Sequence, residues 1–144
     1  MSTYLDNDHK FIVVLNKKIE LPRLLNALGH MSAGITSLLQ ERSKEIFFSY
    51  VDGSDTIHPA ISKFPFIILM ADNNKQIRTL RNVIISLRIP YNDFTDTMIG
   101  SSHEEQLAQT KKKDEQLLEY YGIIIFDKAE KLKPMTKKFS LFRI

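Results

Sequence analysis

A chain of 144 residues, 43% hydrophobic and 26% charged, is long enough for one domain with a real core and is not a disordered polymer. It contains no cysteine, which excludes disulfides and thiolate metal sites and fits a reducing, cytoplasmic setting. The formal charge of +3 permits contact with RNA without requiring it.

No apolar run approaches the roughly 18 residues of a membrane span, and the polar start MSTYLDNDHK lacks the plan of a secretory signal. The first element is the continuous run Phe11–Leu15, which predicts an interior strand covered on both faces. The period then changes. Leu21, Leu24, Leu25, Leu28, Met31, Ile35, Leu38 and Leu39 recur at helical spacing, with Pro22 suited to the first turn. His30 lies beside that stripe among Asn26, Ala27, Ala33 and Gly34, where small residues let a ligand or another backbone come close.

Ile46–Val51 predicts a second, more polar strand, followed by a turn at Asp52-Gly53-Ser54-Asp55 and a long loop through His58-Pro59 to Pro65. Phe66–Ala71 predicts another buried strand. A helix capped by Asn73, with Gln76 three residues on, carries Ile77, Leu80, Ile84 and Leu87 on one stripe. Arg78, Arg81 and Arg88 flank it, where a guanidinium can meet solvent, a phosphate or a neighbouring acid, and a solvated flank is the expectation. Pro90 ends that helix, and Tyr91 to Ile99 alternates with period two.

Ser102, with Glu105 three residues on, predicts the start of a peripheral helix with Leu107, Leu118 and Tyr121 as its thin apolar stripe and Lys111–Glu115 facing water. Ile123–Phe126 predicts a third buried strand. The polar stretch Asp127–Lys138 is interrupted by Pro134, and Phe139–Ile144 predicts a last strand. The order implies one α/β domain over residues 1–144, a mixed sheet flanked by helices.

No GxGxxG, GxxxxGK[ST] or GxSxG motif occurs. His9, His30, His58 and His103 are far apart and form no local ligand pair, so neither a metal nor a cofactor is expected.

The opening strand and the helix LLNALGHMSAGI resemble the first unit of the type 2 peptidyl-tRNA hydrolases, with His30 at the position of that family's helix histidine. The segment NDFTDTMI is similar to its strand-end motif, and Asp93 and Thr97 match the acid and the hydroxyl residue. Arg23 stands in for the basic residue at the start of the helix. The chain departs from the motif at Phe94-Thr95-Asp96, where alanine, glycine and arginine are replaced. It departs again at Met98, Met70 and Ala27, in place of glutamine, lysine and glutamine. Two cations are lost and an acid gained, which disfavours a phosphate-rich substrate.

A wider similarity covers nearly the whole chain. Leu25-Asn26-Ala27, Tyr50-Val51-Asp52-Gly53 with His58-Pro59 and Ile61, FIILMAD, and FDKAEKLKPMTKKFSLFR together resemble the uncharacterised DUF2000 family. That resemblance implies the type 2 peptidyl-tRNA hydrolase fold and a homodimer, and it implies no reaction. Two functions follow as expectations. One is a binding module for a small ligand or partner, with Arg23, Asn26 and His58 contacting the ligand. The other is ester hydrolysis, with His30 as base, Asp93 orienting it and Thr97 donating a hydrogen bond.

Overall fold

The computed structural model describes residues 8–144; the polar N-terminal stretch noted above lies, through residue 7, outside them. In chain order the elements are β1 (His9–Asn16), α1 (Leu21–Leu38), the short α2 (Ser43–Ile46), β2 (Phe47–Val51), β3 (Ile57–Ser62), β4 (Phe66–Ala71), α3 (Asn74–Ser86), β5 (Tyr91–Thr95), α4 (His103–Lys112), β6 (Tyr120–Lys128), α5 (Ala129–Thr136) and β7 (Ser140–Leu141). The main sheet has the order β5-β6-β1-β4-β7. β1 runs parallel to β4, while β6 is antiparallel to both β1 and β5, and β7 is antiparallel to β4.

The centre of the sheet follows from composition. Phe11–Leu15 of β1 and Tyr120–Phe126 of β6 are buried throughout, so each strand is apolar on both faces. Alternate residues feed two cores. On one face Phe11, Val13, Leu15, Phe94, Tyr121, Ile124 and Phe126 meet Leu24, Ala27, Met31 and Ile35 of α1. On the other, Ile12, Val14, Ile123 and Ile125 meet Ile77, Leu80 and Ile84 of α3 and Leu132 of α5. The buried row of α1 is therefore centred on Ala27, and Leu25 and Leu38 of the expected stripe are exposed. Gly122 makes room for this packing, since a Cβ there would lie 2.8 Å from Leu15 Cδ2 and 3.0 Å from Met31 Cε.

Both predicted caps form: Asn73 accepts from the Gln76 N–H and Ser102 from the Glu105 N–H. Several expectations are corrected. The loop around His58 is a strand, β3, paired antiparallel with β2 in a separate two-stranded sheet. It tolerates Pro59 because each strand of such a ribbon has a free edge. α4 stops at Lys112, so Leu118 and Tyr121 do not lie on it; β6 starts at Tyr120, earlier than the apolar run suggests. α5 spans Pro134, held by burial of Leu132 and Thr136 one turn apart and by the Thr136 hydroxyl donating to the Leu132 carbonyl at 2.8 Å. β4 is only half-buried, because β7 covers it over just Leu69 and Met70.

Candidate functional site

The carboxyl end of β5, the flank of α1 and the start of α4 meet at one edge of the sheet. A cavity of about 240 Å³ is lined there by His30, Met31, Asn92, Asp93, Phe94, Met98 and Gln106. A second, of about 430 Å³, continues past His30, Met98 and Gln106 to Pro22, Arg23, Asn26, Ile99 and Gly100. The shared residues make the two one cleft. His30 stacks on Phe94 with ring centroids 5.8 Å apart, and Phe94 leans on Tyr121 at 5.7 Å. Arg23 pairs with Glu20 at 2.9 Å, and its guanidinium reaches toward the Tyr121 hydroxyl at 3.5 Å. His30 and Asn26 make no side-chain hydrogen bond among the described residues.

Asn92 shapes the floor. Its side-chain amide packs on Gly34, where a Cβ would come within 2.1 Å of Nδ2, and lies 3.4 Å from the Met31 carbonyl. Its Oδ1 accepts the next residue's N–H, that of Asp93, at 2.9 Å. The small residues beside His30 thus serve a close approach, made by a side chain of β5.

The acid is turned away. Along β5, Asn92 and Phe94 face α1, whereas Tyr91 packs in the α3 core and Asp93 Oδ2 accepts from Arg81 Nε of α3 at 2.8 Å. Asp93 borders the cleft, but its carboxylate belongs to the opposite face of the sheet. No hydrogen bond joins it to His30. Thr97 is also committed elsewhere: buried, it lies 2.9 Å from the Thr95 hydroxyl and 2.8 Å from that of Thr110, a chain that ties α4 to the turn after β5. His58 lines neither cavity and pairs with Asp52 at 2.9 Å on the β2–β3 hairpin.

On the α3 face the polar groups are saturated. Arg78 donates to Glu115 Oε2 at 2.8 Å and to the Leu118 carbonyl at 2.7 Å. Tyr120 donates to the same Glu115 oxygen at 2.7 Å. Arg81 lies against the rings of Tyr91 and Tyr120. The Arg78 hydrogen bond, aided by that of Tyr120, holds the Glu115 carboxyl below its ordinary pKa; burial, and then the bond to Glu115, push the Tyr120 phenol well above its own. Arg78 and Arg81 are thus paired rather than solvated, and only Arg88 of the three is exposed.

Sequence reasoning reached His30, Asn26 and Arg23 but missed Asn92, Met98 and Gln106 as lining residues. Gly34 was the one available signal for Asn92; nothing marked Gln106. Among the described residues no three His, Cys, Asp or Glu side chains gather as a metal site, and no helix is long and apolar enough to cross a membrane.

The fold and cleft define a single α/β domain with a mixed five-stranded sheet. Residues 9–143 match the family model DUF2000, described as a protein of unknown function, and the chain belongs to that family. It is also similar to the solved structure of a protein of unknown function from Agrobacterium tumefaciens strain C58, with a TM-score of 0.79 and 17% identity over 94% of this chain and 98% of that one. At that identity the likeness concerns the fold. No curated protein matches the sequence.

Proposed function

We propose that the protein is a binding module whose ligand enters the cleft between α1, the edge of β5 and the start of α4. The observation that carries this reading is His30, held flat on Phe94 at 5.8 Å beside an open cavity, with no hydrogen-bond partner among the described residues. A side chain placed by ring stacking, exposed at a cavity and hydrogen-bonded to no other group among the described residues is available to a ligand. The type 2 peptidyl-tRNA hydrolase fold and a cytoplasmic setting belong to the same reading. The first is supported by the β1–α1 unit carrying His30 and by Thr97 following β5, the second by a cysteine-free composition.

Hydrolysis by His30, Asp93 and Thr97 is not the favoured reading, because the acid is engaged by Arg81 and the hydroxyl by Thr95 and Thr110. RNA is not favoured either: among the described residues Arg23 is the one Lys or Arg lining the cleft, and it is paired with Glu20.

A homodimer is inferred from the β2–β3 hairpin. Phe48 stands opposite Ile61 and Val51 opposite Ile57; the register shift between Phe48 and Tyr50 places its extra residue in β3, so the first pair lies on one face of the ribbon and the second on the other. They are 43–67% exposed, and a lone two-stranded ribbon is marginal in water. Asp52 and His58 are hydrogen-bonded to one another nearby, and the exposed apolar side chains of the ribbon suit its own copy. Ile57→Asp with Ile61→Asp is expected to convert a dimer to a monomer in light scattering.

The binding reading is tested by titrating the isotope-labelled protein with a chemically mixed fragment set. Shifts confined to the amides of His30, Asn92 and Gln106 are expected; a set that moves none of them would remove the reading. Release of tRNA from a peptidyl-tRNA mimic is expected to equal that of His30→Ala.

A further inference from the structure

Resting on the binding reading, we propose that the cleft takes an extended, uncharged peptide segment of about four residues, paired as a strand to the outer edge of β5.

The pairing pattern supplies the edge. β5 is the last strand of its sheet. The Phe126 N–H donates to the Pro90 carbonyl at 3.2 Å, which fixes which residues of this antiparallel pair turn inward. Pro90, Asn92 and Phe94 direct their main-chain groups to β6, so Tyr91 and Asp93 direct theirs away from the sheet. Asp93 lines the cleft although its carboxylate is hydrogen-bonded to Arg81 of α3, as its outward-turned main chain allows. Its outward N–H is met by Asn92 Oδ1 at 2.9 Å. A side-chain amide oxygen therefore stands where the carbonyl of an added strand would dock.

Size and chemistry agree. The cleft follows α1 from Pro22 to Met31, a rise of about 14 Å at roughly 1.5 Å per residue, which is the length of about four extended residues. Its polar lining is dominated by amides: Asn26 is without a partner among the described residues, the Gln106 Nε2 reaches only the Gly100 carbonyl at 3.4 Å and leaves its oxygen open, and Asn92 would exchange its Asp93 bond for a peptide group. Among the described residues the only Lys, Arg, Asp or Glu lining it are Arg23 and Asp93, and both are paired with other residues of the chain. A phosphodiester would meet a single arginine there among the described residues, already paired with Glu20. Phe94, Met31, Met98 and Ile99 offer apolar surface for alternate side chains of an added strand.

The experiment is an NMR titration of the full chain with N-acetyl, C-amide tetrapeptides of Ala, Leu, Ser and Asn, alongside mononucleotides and an RNA tetramer. Peptides are expected to shift the Asp93 and Gln106 amides. Gln106→Ala and Asn26→Ala are expected to weaken the best peptide at least tenfold with unchanged circular dichroism. N-methylation along that peptide is expected to abolish binding at every second position, the signature of one hydrogen-bonded edge. Tolerance of N-methylation at all positions would overturn the strand geometry. Cleft shifts from nucleotides or RNA but not peptides would overturn the peptide while sparing the binding reading. Silence from every class would overturn both.

Discussion

The two faces of the sheet differ in how far their polar side chains are bonded within the chain. On the α3 face Arg78, Arg81, Asp93, Glu115 and Tyr120 are all bonded to one another or to main chain. On the α1 face His30 and Asn26 stand at a cleft without side-chain partners among the described residues. Both sets sit near the same edge strand, and alternation along β5 sends Asp93 to the α3 face and Asn92 and Phe94 to the α1 face. The difference separates roles. Saturated groups fasten α3 and the turn before β6 to the sheet; the exposed His30 and Asn26 give water, or a ligand in its place, the hydrogen-bonding capacity that the described residues do not use.

The largest expected effect breaks the saturated face. Arg81→Met leaves the Asp93 carboxylate, 14% exposed, without its cation. It should cost about 2–3 kcal/mol in urea unfolding, somewhat less than a fully buried pair because both groups touch solvent. A loss no larger than that of an exposed pair would show that the network is not structural.

Next is a pH effect at Glu115. Its folded pKa lies below the ordinary value of 4.5, so its contribution is complete above that pH and is lost as pH falls through the lower folded value. Glu115→Gln lacks the contribution at every pH, so the gap between mutant and wild-type unfolding should be widest near neutrality and shrink in acid. A gap constant from pH 7 to about pH 3 would contradict the assignment.

Gly34→Ala sharpens the other side. Its Cβ would displace the flexible end of Asn92, which removes the cover from the Asp93 N–H. Alanine favours the helix by about 1 kcal/mol, and the lost Asn92 bonds cost about 1 kcal/mol. Stability should therefore hardly move, while amide exchange at Asp93 accelerates. His30→Ala should be the mildest, within about 0.5 kcal/mol, because the exposed ring rests on Phe94 alone.

Local signals were legible. Phe11–Leu15, the helix that follows and the caps at Asn73 and Ser102 form because burial period and cap chemistry are written in neighbouring residues. What was not legible depended on distant partners. β3 looked like a loop because its strand pairing is with β2 and its residues are almost all exposed. Arg81 looked solvated because its partner is 12 residues on, in β5. His30 and Asp93 looked like partners because sequence gives their order but not the face to which the acid turns. Family membership was readable from spaced segments across the chain, and the match over residues 9–143 agrees.

The separation of His30 from Asp93 is the claim on which the functional reading depends, and a double-mutant cycle measures it. His30→Ala, Asp93→Ala and the double mutant are compared by urea unfolding. Groups on opposite faces of the sheet should give additive losses, with a coupling below about 0.5 kcal/mol. A coupling of about 1 kcal/mol or more would contradict the account and return the two residues to a common site.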